Sequence, residues 1–404
     1  MIGVTGTKGK TTICYFTYQL LQKCAGKTAL VSTTFFAIGK DFKENKTKMG
    51  MPGRFFLPRF LSRAYQKKAK YAVVETTSEG ILQHRQRFIQ YNTAVFTGLS
   101  PEHIEHHGSF EAYRKAKTKL FKQCGDAHIL NINDKHAGYF SVYPAKQKWG
   151  VILDKKIASN SLNKILEGIF LTPKTLKINE WEISEKNKRK IITKASIILP
   201  FPGKFNAMNL LLALATASSA GVDFKKLIKA IPELKLPPGR MQELTNINVP
   251  FRIFLDYAHE PLSLQSVLTA CREQLPKNHK LICLTGAQGG GRDKWKRKVM
   301  GATAAKYCDF VIVGTEDPYQ EDPDQINQAV LSGVLSVKKF RKNKNCWKFS
   351  EREEAIKKAI GLAKAGDIVI LTGKGGEKLM CAGNKKIPWD EEKIVRKLIL
   401  SSKF

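Results

Sequence analysis

Gly3-Val4-Thr5-Gly6-Thr7-Lys8-Gly9-Lys10-Thr11-Thr12 lies between an apolar start, Met1, Ile2 and Val4, and the segment Ile13-Cys14-Tyr15-Phe16-Thr17-Tyr18-Gln19-Leu20-Leu21. The second segment spaces its apolar residues as a helix does, so the order is strand, phosphate-sized loop, helix. A P-loop is built this way. Gly6 and Gly9 let backbone N–H groups close around phosphate oxygens, and the helix start adds its partial positive charge. Lys10 reaches the terminal phosphates and Thr11 offers a hydroxyl to Mg²⁺. Val4 stands where the general G-x-x-x-x-G-K-[ST] pattern has its first glycine, which leaves a Gly-Thr-x-Gly-Lys-Thr core. A Gly/Thr turn before an ordinary helix is the bland alternative, and the flanking strand and helix argue against it.

Outward from this loop, apolar β-rich runs recur with helical stretches between them: 28–33, 71–75, 93–97, 128–131 and 149–153. Their continuous apolarity predicts strands buried on both faces, as in a mainly parallel α/β sheet. From about 165 to 200 the pattern alternates, which predicts a small antiparallel flap. Phe205-Asn206-Ala207-Met208-Asn209 then opens an Ala/Leu-rich helix. Pro237-Pro238-Gly239 continues neither a helix nor a strand, so the expected domains are 1–236 and 237–404. The runs 252–256, 280–285, 310–315 and 367–372, each followed by a helical segment, predict a Rossmann-like C-terminal α/β domain.

With 404 residues the chain is too long for one core, and 43% apolar with 25% charged residues is ordinary for a globular protein. No run reaches the roughly 18 apolar residues that cross a bilayer, and a strand rather than a signal segment follows Met1, so a cytoplasmic location without membrane contact is expected. The eight cysteines have no metal-ligand spacing and read as buried thiols in a reducing compartment. The net charge of +33 is spread thinly as lysine, without interleaved aromatics. It reads as a solvated surface that attracts anionic substrates rather than as a nucleic-acid site.

Polar residues cluster at the predicted strand ends, where an open α/β sheet places its site. Glu75 there is a candidate Mg²⁺ partner, with Thr76, Thr77 and Ser78 equally suited to capping a helix. Glu102, His103, Glu105, His106 and His107 follow the next strand. They lack the cysteines or second cluster of a closed zinc site, and one of them serving Mg²⁺–ATP is the sharper idea. By spacing alone Lys115, Lys117 and Lys119 form a solvated helix face. In the second domain Asp256 sits where a carboxylate accepts from a ribose hydroxyl, and Gly289-Gly290-Gly291 and Gly373-Lys374-Gly375-Gly376 are two further glycine loops. Together with the first loop they suggest two domains closing on a substrate.

Taken in order from residue 3 to about 380, these motifs resemble those of the Mur ligases, closest to the branch that adds the third amino acid to UDP-N-acetylmuramoyl-L-alanyl-D-glutamate. Gly6-Thr7-Lys8-Gly9-Lys10-Thr11-Thr12 is similar to that family's ATP loop, with Lys8 where Asn is usual. The resemblance implies ATP and Mg²⁺ as cofactors, with Thr11, Glu75, His103 and a carbamylated Lys117 at the metal. It implies Asn206 and Asn209 on the adenine side, Arg240 at phosphate, and Asp256 and His259 at ribose. Thr77, Gln83 and Arg85 fall where the family holds the muramoyl dipeptide, and Arg292, Asp317, Gly373 and Glu377 where it holds the incoming amino acid. The implied enzyme is a monomeric acid–amino-acid ligase of peptidoglycan precursor synthesis acting on small molecules.

Three departures from the family's pattern stand out. With its loop at residue 3, the sequence is expected to lack the domain that holds the uridine nucleotide, so a muramoyl dipeptide or its UDP form is the expected acceptor, with a separate UDP-binding protein as a candidate partner. Gly50-Met51-Pro52 replaces Thr-Thr-Pro. Glu316-Asp317-Pro318-Tyr319 replaces Asp-Asn-Pro-Arg, which loses a bidentate arginine and leaves two carboxylates suited to a cationic side chain such as lysine. The rivals are a folylpolyglutamate synthase-like ligase and a non-catalytic basic nucleic-acid-binding protein.

Overall fold

The computed structural model describes residues 1–47, 49–100, 108–155, 162–184, 188–291 and 294–401, and the chain forms two units, Met1–Pro237 and Pro238–Phe404. In the first unit, eleven strands make one sheet. They are β1 (Ile2–Thr5), β2 (Thr28–Val31), β3 (Phe35–Ile38), β4 (Asp41–Glu44), β5 (Tyr71–Glu75), β6 (Thr93–Phe96), β7 (Ala127–Asn131), β8 (Gln147–Leu153), β9 (Lys164–Thr172), β10 (Thr175–Ile183) and β11 (Arg189–Ile198). Their order is β11-β10-β9-β8-β7-β6-β1-β5-β2-β3-β4, and the seven from β9 to β2 in that order are parallel.

The continuous apolarity of the central strands has the cause expected of it, since both faces are covered. Ile2, Val4, Val73 and Val95 point into a core shared with the helices Lys10–Cys24 and Lys204–Ser219. Val74, Ala94 and Phe96 point into another, which takes in Tyr113, Leu120 and Phe121 of the helix Phe110–Lys122. Register decides what lies beside the phosphate-sized loop. Val4 pairs with both Glu75 and Val95, so β1, β5 and β6 end level with one another.

The antiparallel segment is not a separate flap. Lys164 pairs in parallel with Trp149, and β9 to β11 thereby extend the main sheet. Alternation appears in sequence because β11 at the edge exposes every second residue. Hairpin β3–β4, which the apolar runs do not announce, closes the opposite edge.

The second unit has a six-stranded sheet, in which β12 (Gln242–Glu243) is antiparallel to β13 (Arg252–Leu255). The remaining strands β14 (Leu281–Thr285), β15 (Phe310–Gly314), β16 (Cys346–Phe349) and β17 (Ile368–Leu371) complete the order β12-β13-β17-β14-β15-β16 with parallel pairing. Strand β16, only four residues long and interrupted by Lys348, carries too little apolar signal to stand out in sequence. A hairpin of β18 (Leu379–Ala382) and β19 (Lys385–Pro388) follows. Ile253, Leu255, Ile282, Leu284 and Val369 build its core with the helices Arg352–Leu362 and Glu391–Ser401. No helix among the described residues is long and apolar enough to cross a membrane.

Candidate nucleotide site and its neighbours

The helix Lys10–Cys24 starts directly after Gly9, whose left-handed φ of 82° turns the chain so that the helix's first N–H groups face the loop's concavity. The cradle has no room for side chains on the loop itself. A Cβ on Gly6 would stand 2.0 Å from Thr97 Oγ1, and one on Gly9 would stand 2.5 Å from Asn209 Oδ1. Thr97 donates to the Lys8 carbonyl at 2.6 Å, and the Thr7 N–H donates to the Gly98 carbonyl at 2.8 Å, so the end of β6 holds the loop in shape. Lys10 Nζ rests on the carbonyls of Thr7 (2.8 Å) and Gly6 (3.2 Å). Thr12 is buried in the helix's first turn.

Four of the residues singled out in sequence meet here. The Thr11 hydroxyl donates to Glu75 Oε2 at 3.0 Å, and the same oxygen accepts the Thr33 N–H at 2.9 Å. Glu75 is 3% exposed, which gives a carboxylate and a hydroxyl side by side, the hard oxygen donors that suit Mg²⁺. Lys117, 1% exposed, sends its Nζ to the Gly6 carbonyl at 2.8 Å, with the Tyr113 ring 4.4 Å beneath it. The solvated-face reading of Lys117 is therefore wrong, although Lys115 on the same helix is exposed. Asn209 reaches Gly9 because the helix Lys204–Ser219 packs along Lys10–Cys24, with Phe16 stacked on Phe201 at 4.8 Å. Asn206 lies one turn earlier, donating to the Pro202 carbonyl at 2.8 Å.

Thr77 caps the helix Ser78–Leu82 by accepting the Gly80 N–H at 3.1 Å. Gln83 and Arg85 bond to each other, and Arg85 also donates to the Met51 carbonyl. Gly50 packs into this corner, where a Cβ would meet Thr77 Cγ2 at 2.8 Å. The departure Gly50-Met51-Pro52 thus lies beside Glu75 and Thr77.

In the second unit, Arg240 stacks over the Tyr257 ring at 4.3 Å and His259 Nδ1 lies 2.8 Å from the Tyr257 carbonyl. Both Asp256 oxygens accept backbone N–H groups, from Ala258 at 2.7 Å and from Met241 at 2.6 Å, and burial raises its carboxyl pKa. The glycine loop after β17 conceals a cation. Lys374, fully buried, donates to Asp317 (2.8 Å), Glu377 (2.8 Å) and the Leu379 carbonyl (2.8 Å). Asp317 also accepts the Cys381 N–H at 2.8 Å. Asp317 and Glu377, both expected at the incoming amino acid, thus share a cation that the chain itself supplies. Glu316 is buried under Gly373 with neither oxygen hydrogen-bonded among the described residues, and burial pushes its pKa to about 7.

His103 and Arg292 lie outside the described residues, as do Glu102, Glu105, His106 and His107. Among the described residues no three His, Cys, Asp or Glu side chains cluster as a metal site. Sequence reasoning missed Thr33, Thr97 and Tyr113 at the loop and Lys374 in the second unit. Thr33 and Thr97 carried a signal, as the last residues of apolar runs; the others are defined by long-range pairing alone.

The profile of the Mur ligase middle domain matches residues 4–217, and that of the Mur ligase glutamate ligase domain matches residues 239–375. The UDP-N-acetylmuramoyl-L-alanyl-D-glutamate–2,6-diaminopimelate ligase of Caldanaerobacter subterraneus subsp. tengcongensis is 31% identical over 407 residues, covering 100% of this chain and 78% of that protein. The UDP-N-acetylmuramyl-tripeptide synthetase of Borreliella burgdorferi is 30% identical over 408 residues, covering 99% and 76%. A solved UDP-N-acetylmuramoyl-L-alanyl-D-glutamate–2,6-diaminopimelate ligase structure aligns with a TM-score of 0.64 at 27% identity, over 99% of this chain and 78% of that one. The middle-domain match alone takes in more than half of the chain, and it falls on the sheet and loop just described: the chain belongs to the Mur ligase family.

Proposed function

We propose that the chain is a cytoplasmic ATP-dependent ligase that joins an amino acid to a muramoyl-dipeptide-type carboxylate in peptidoglycan precursor synthesis. The observation that carries this reading is the convergence of Lys10, Thr11, Glu75 and Lys117 on one glycine loop at a helix start. Relatives named as tripeptide synthetase and diaminopimelate ligase support the class of acceptor.

In the proposed reaction an acceptor carboxylate oxygen attacks the γ-phosphorus of ATP and ADP leaves. The amine nitrogen then attacks the acyl carbon, loses its proton, and inorganic phosphate departs. The loop N–H groups and the helix start bind the phosphates, and Lys10 leaves the Gly6 and Thr7 carbonyls for the phosphoryl group in transfer. Thr11 and Glu75, with His103 and a carbamylated Lys117, would hold Mg²⁺, which supplies positive charge against the crowded oxygens. Asn206, Asn209, Arg240, Asp256 and His259 are proposed nucleotide contacts. Thr77, Gln83 and Arg85 are proposed for the acceptor, and Arg292, Gly373 and Glu377 for the amino acid.

Phosphate release by purified protein tests this, with ATP and an amino-acid panel offered with UDP-N-acetylmuramoyl dipeptide, plain muramoyl dipeptide or tetrahydrofolate. Turnover with a muramoyl acceptor is expected. Turnover restricted to tetrahydrofolate and glutamate would replace the reading with the folylpolyglutamate one, and no turnover with any acceptor would reject it.

A further inference from the structure

Tyr113 has no part in the reaction as written, yet it touches two of the groups that do. It lies one turn before Lys117 on the helix Phe110–Lys122 and is 1% exposed. Its hydroxyl is 3.0 Å from Thr7 Oγ1, inside the phosphate loop, and that oxygen also accepts the Ser100 N–H at 3.0 Å. Its ring lies 4.4 Å under Lys117 Nζ, which reaches the Gly6 carbonyl. One side chain therefore spans the two loop residues Thr7 and Gly6, directly at the first and through Lys117 at the second. A ring face attracts an amine cation, so it fixes where the Lys117 amine sits before it is carbamylated, and a buried phenol hydrogen bond fixes a hydroxyl rotor. The helix itself is anchored at its start, where Ser109 accepts the Ala112 N–H at 3.1 Å.

We infer that Tyr113 is a positioning residue that sets the shape of the phosphate loop through Thr7 and the place of Lys117 through its ring. The inference rests on the proposed reading that this loop holds the nucleotide. Two substitutions separate its two contacts. Tyr113→Phe keeps the ring and removes only the hydroxyl, so the loop loses a tether while Lys117 keeps its platform. Tyr113→Leu removes both.

The test is ADP titration calorimetry of the full chain, together with KM for ATP and kcat by phosphate release. Tyr113→Phe is expected to raise the ADP Kd and the ATP KM about tenfold, the equivalent of one buried hydrogen bond, with kcat within about twofold. Tyr113→Leu is expected to show the same rise and a kcat lowered by about tenfold as well. Thr7→Val combined with Tyr113→Phe should bind ADP no more weakly than the worse single variant, because each already removes the hydrogen bond between Tyr113 and Thr7. A merely structural role would lower the calorimetric stoichiometry, as folded protein is lost, and leave Kd and KM where they were; that result overturns the inference. Penalties that multiply in the double variant overturn it also. Wild-type protein that binds no ADP would reject the nucleotide reading and this role together, whereas normal wild-type binding with an unaltered Tyr113→Phe rejects this role alone.

Discussion

Lys10 Nζ rests on two carbonyls of its own loop, so its charge is held by groups that a phosphate would outcompete. The Gly6 carbonyl keeps a donor without it, because Lys117 Nζ also reaches that oxygen at 2.8 Å. Lys10→Ala is therefore expected to lower ATP turnover by at least about a thousandfold while the melting temperature stays within about 2 °C, measured by phosphate release and calorimetry. Glu316 is the opposite kind of residue, fully buried and without hydrogen bonds to its oxygens among the described residues. Burial lifts its pKa from the ordinary 4.5 to about 7, against the opposing pull of Arg352 and Lys374. In the folded state it holds its proton across that window, so its contribution to stability is full below about 4.5 and is lost as pH rises to about 7. Glu316→Gln should remove this slope: wild type loses up to about 3 kcal/mol between pH 4.5 and 8 that the variant keeps. Urea unfolding of both proteins across that range reads it, and parallel curves would show that Glu316 titrates normally.

At the scale of elements, what could be read from sequence was what is local. Strand, loop and helix at residues 2–24 follow one another without a gap, so Lys10, Thr11 and the cradle glycines were legible, and Glu75 was legible as the polar end of an apolar run. Lys117 was not, because helical spacing assigns it to a face without saying what lies opposite; only the family resemblance raised it. The 165–200 segment was legible as antiparallel, yet its attachment depends on Lys164 meeting Trp149, a pairing that alternation cannot express. Lys374 was hidden by its own loop, where three glycines suggest open backbone and conceal a buried ion pair. The second unit's turn at Gly239 shows how tightly such loops approach. Gly239 has φ 68°, and a Cβ there would stand 1.7 Å from the Gly376 nitrogen, backbone against backbone. Gly239→Ala should cost about 3 kcal/mol or more in denaturant unfolding. Gly361→Ala, in a helix with nothing within 4 Å of the new methyl, should instead gain about 0.5–1 kcal/mol. Equal effects of the two would mean that the Gly239 contact yields without cost.

For the molecule as a whole, the formal charge of +33 over 404 residues is the property that neither fold nor site requires. Its physical effect is long-range. ATP and a muramoyl dipeptide are anions, and a strongly positive surface raises the rate at which anions arrive, by tenfold or more at low salt. Beyond about 10 Å that attraction is screened at roughly 0.1 M ionic strength. Raising salt from about 0.02 M to about 0.3 M should therefore lower kcat/KM for ATP by about tenfold while kcat, measured at saturation, changes little. If the charge instead serves nucleic acid, RNA added at low salt should bind with a steep salt slope, one contact per released counterion, and inhibit turnover. The two outcomes separate cleanly. Steering predicts a salt effect on kcat/KM that persists in protein treated with nuclease, and a nucleic-acid role predicts that the effect vanishes once RNA is removed.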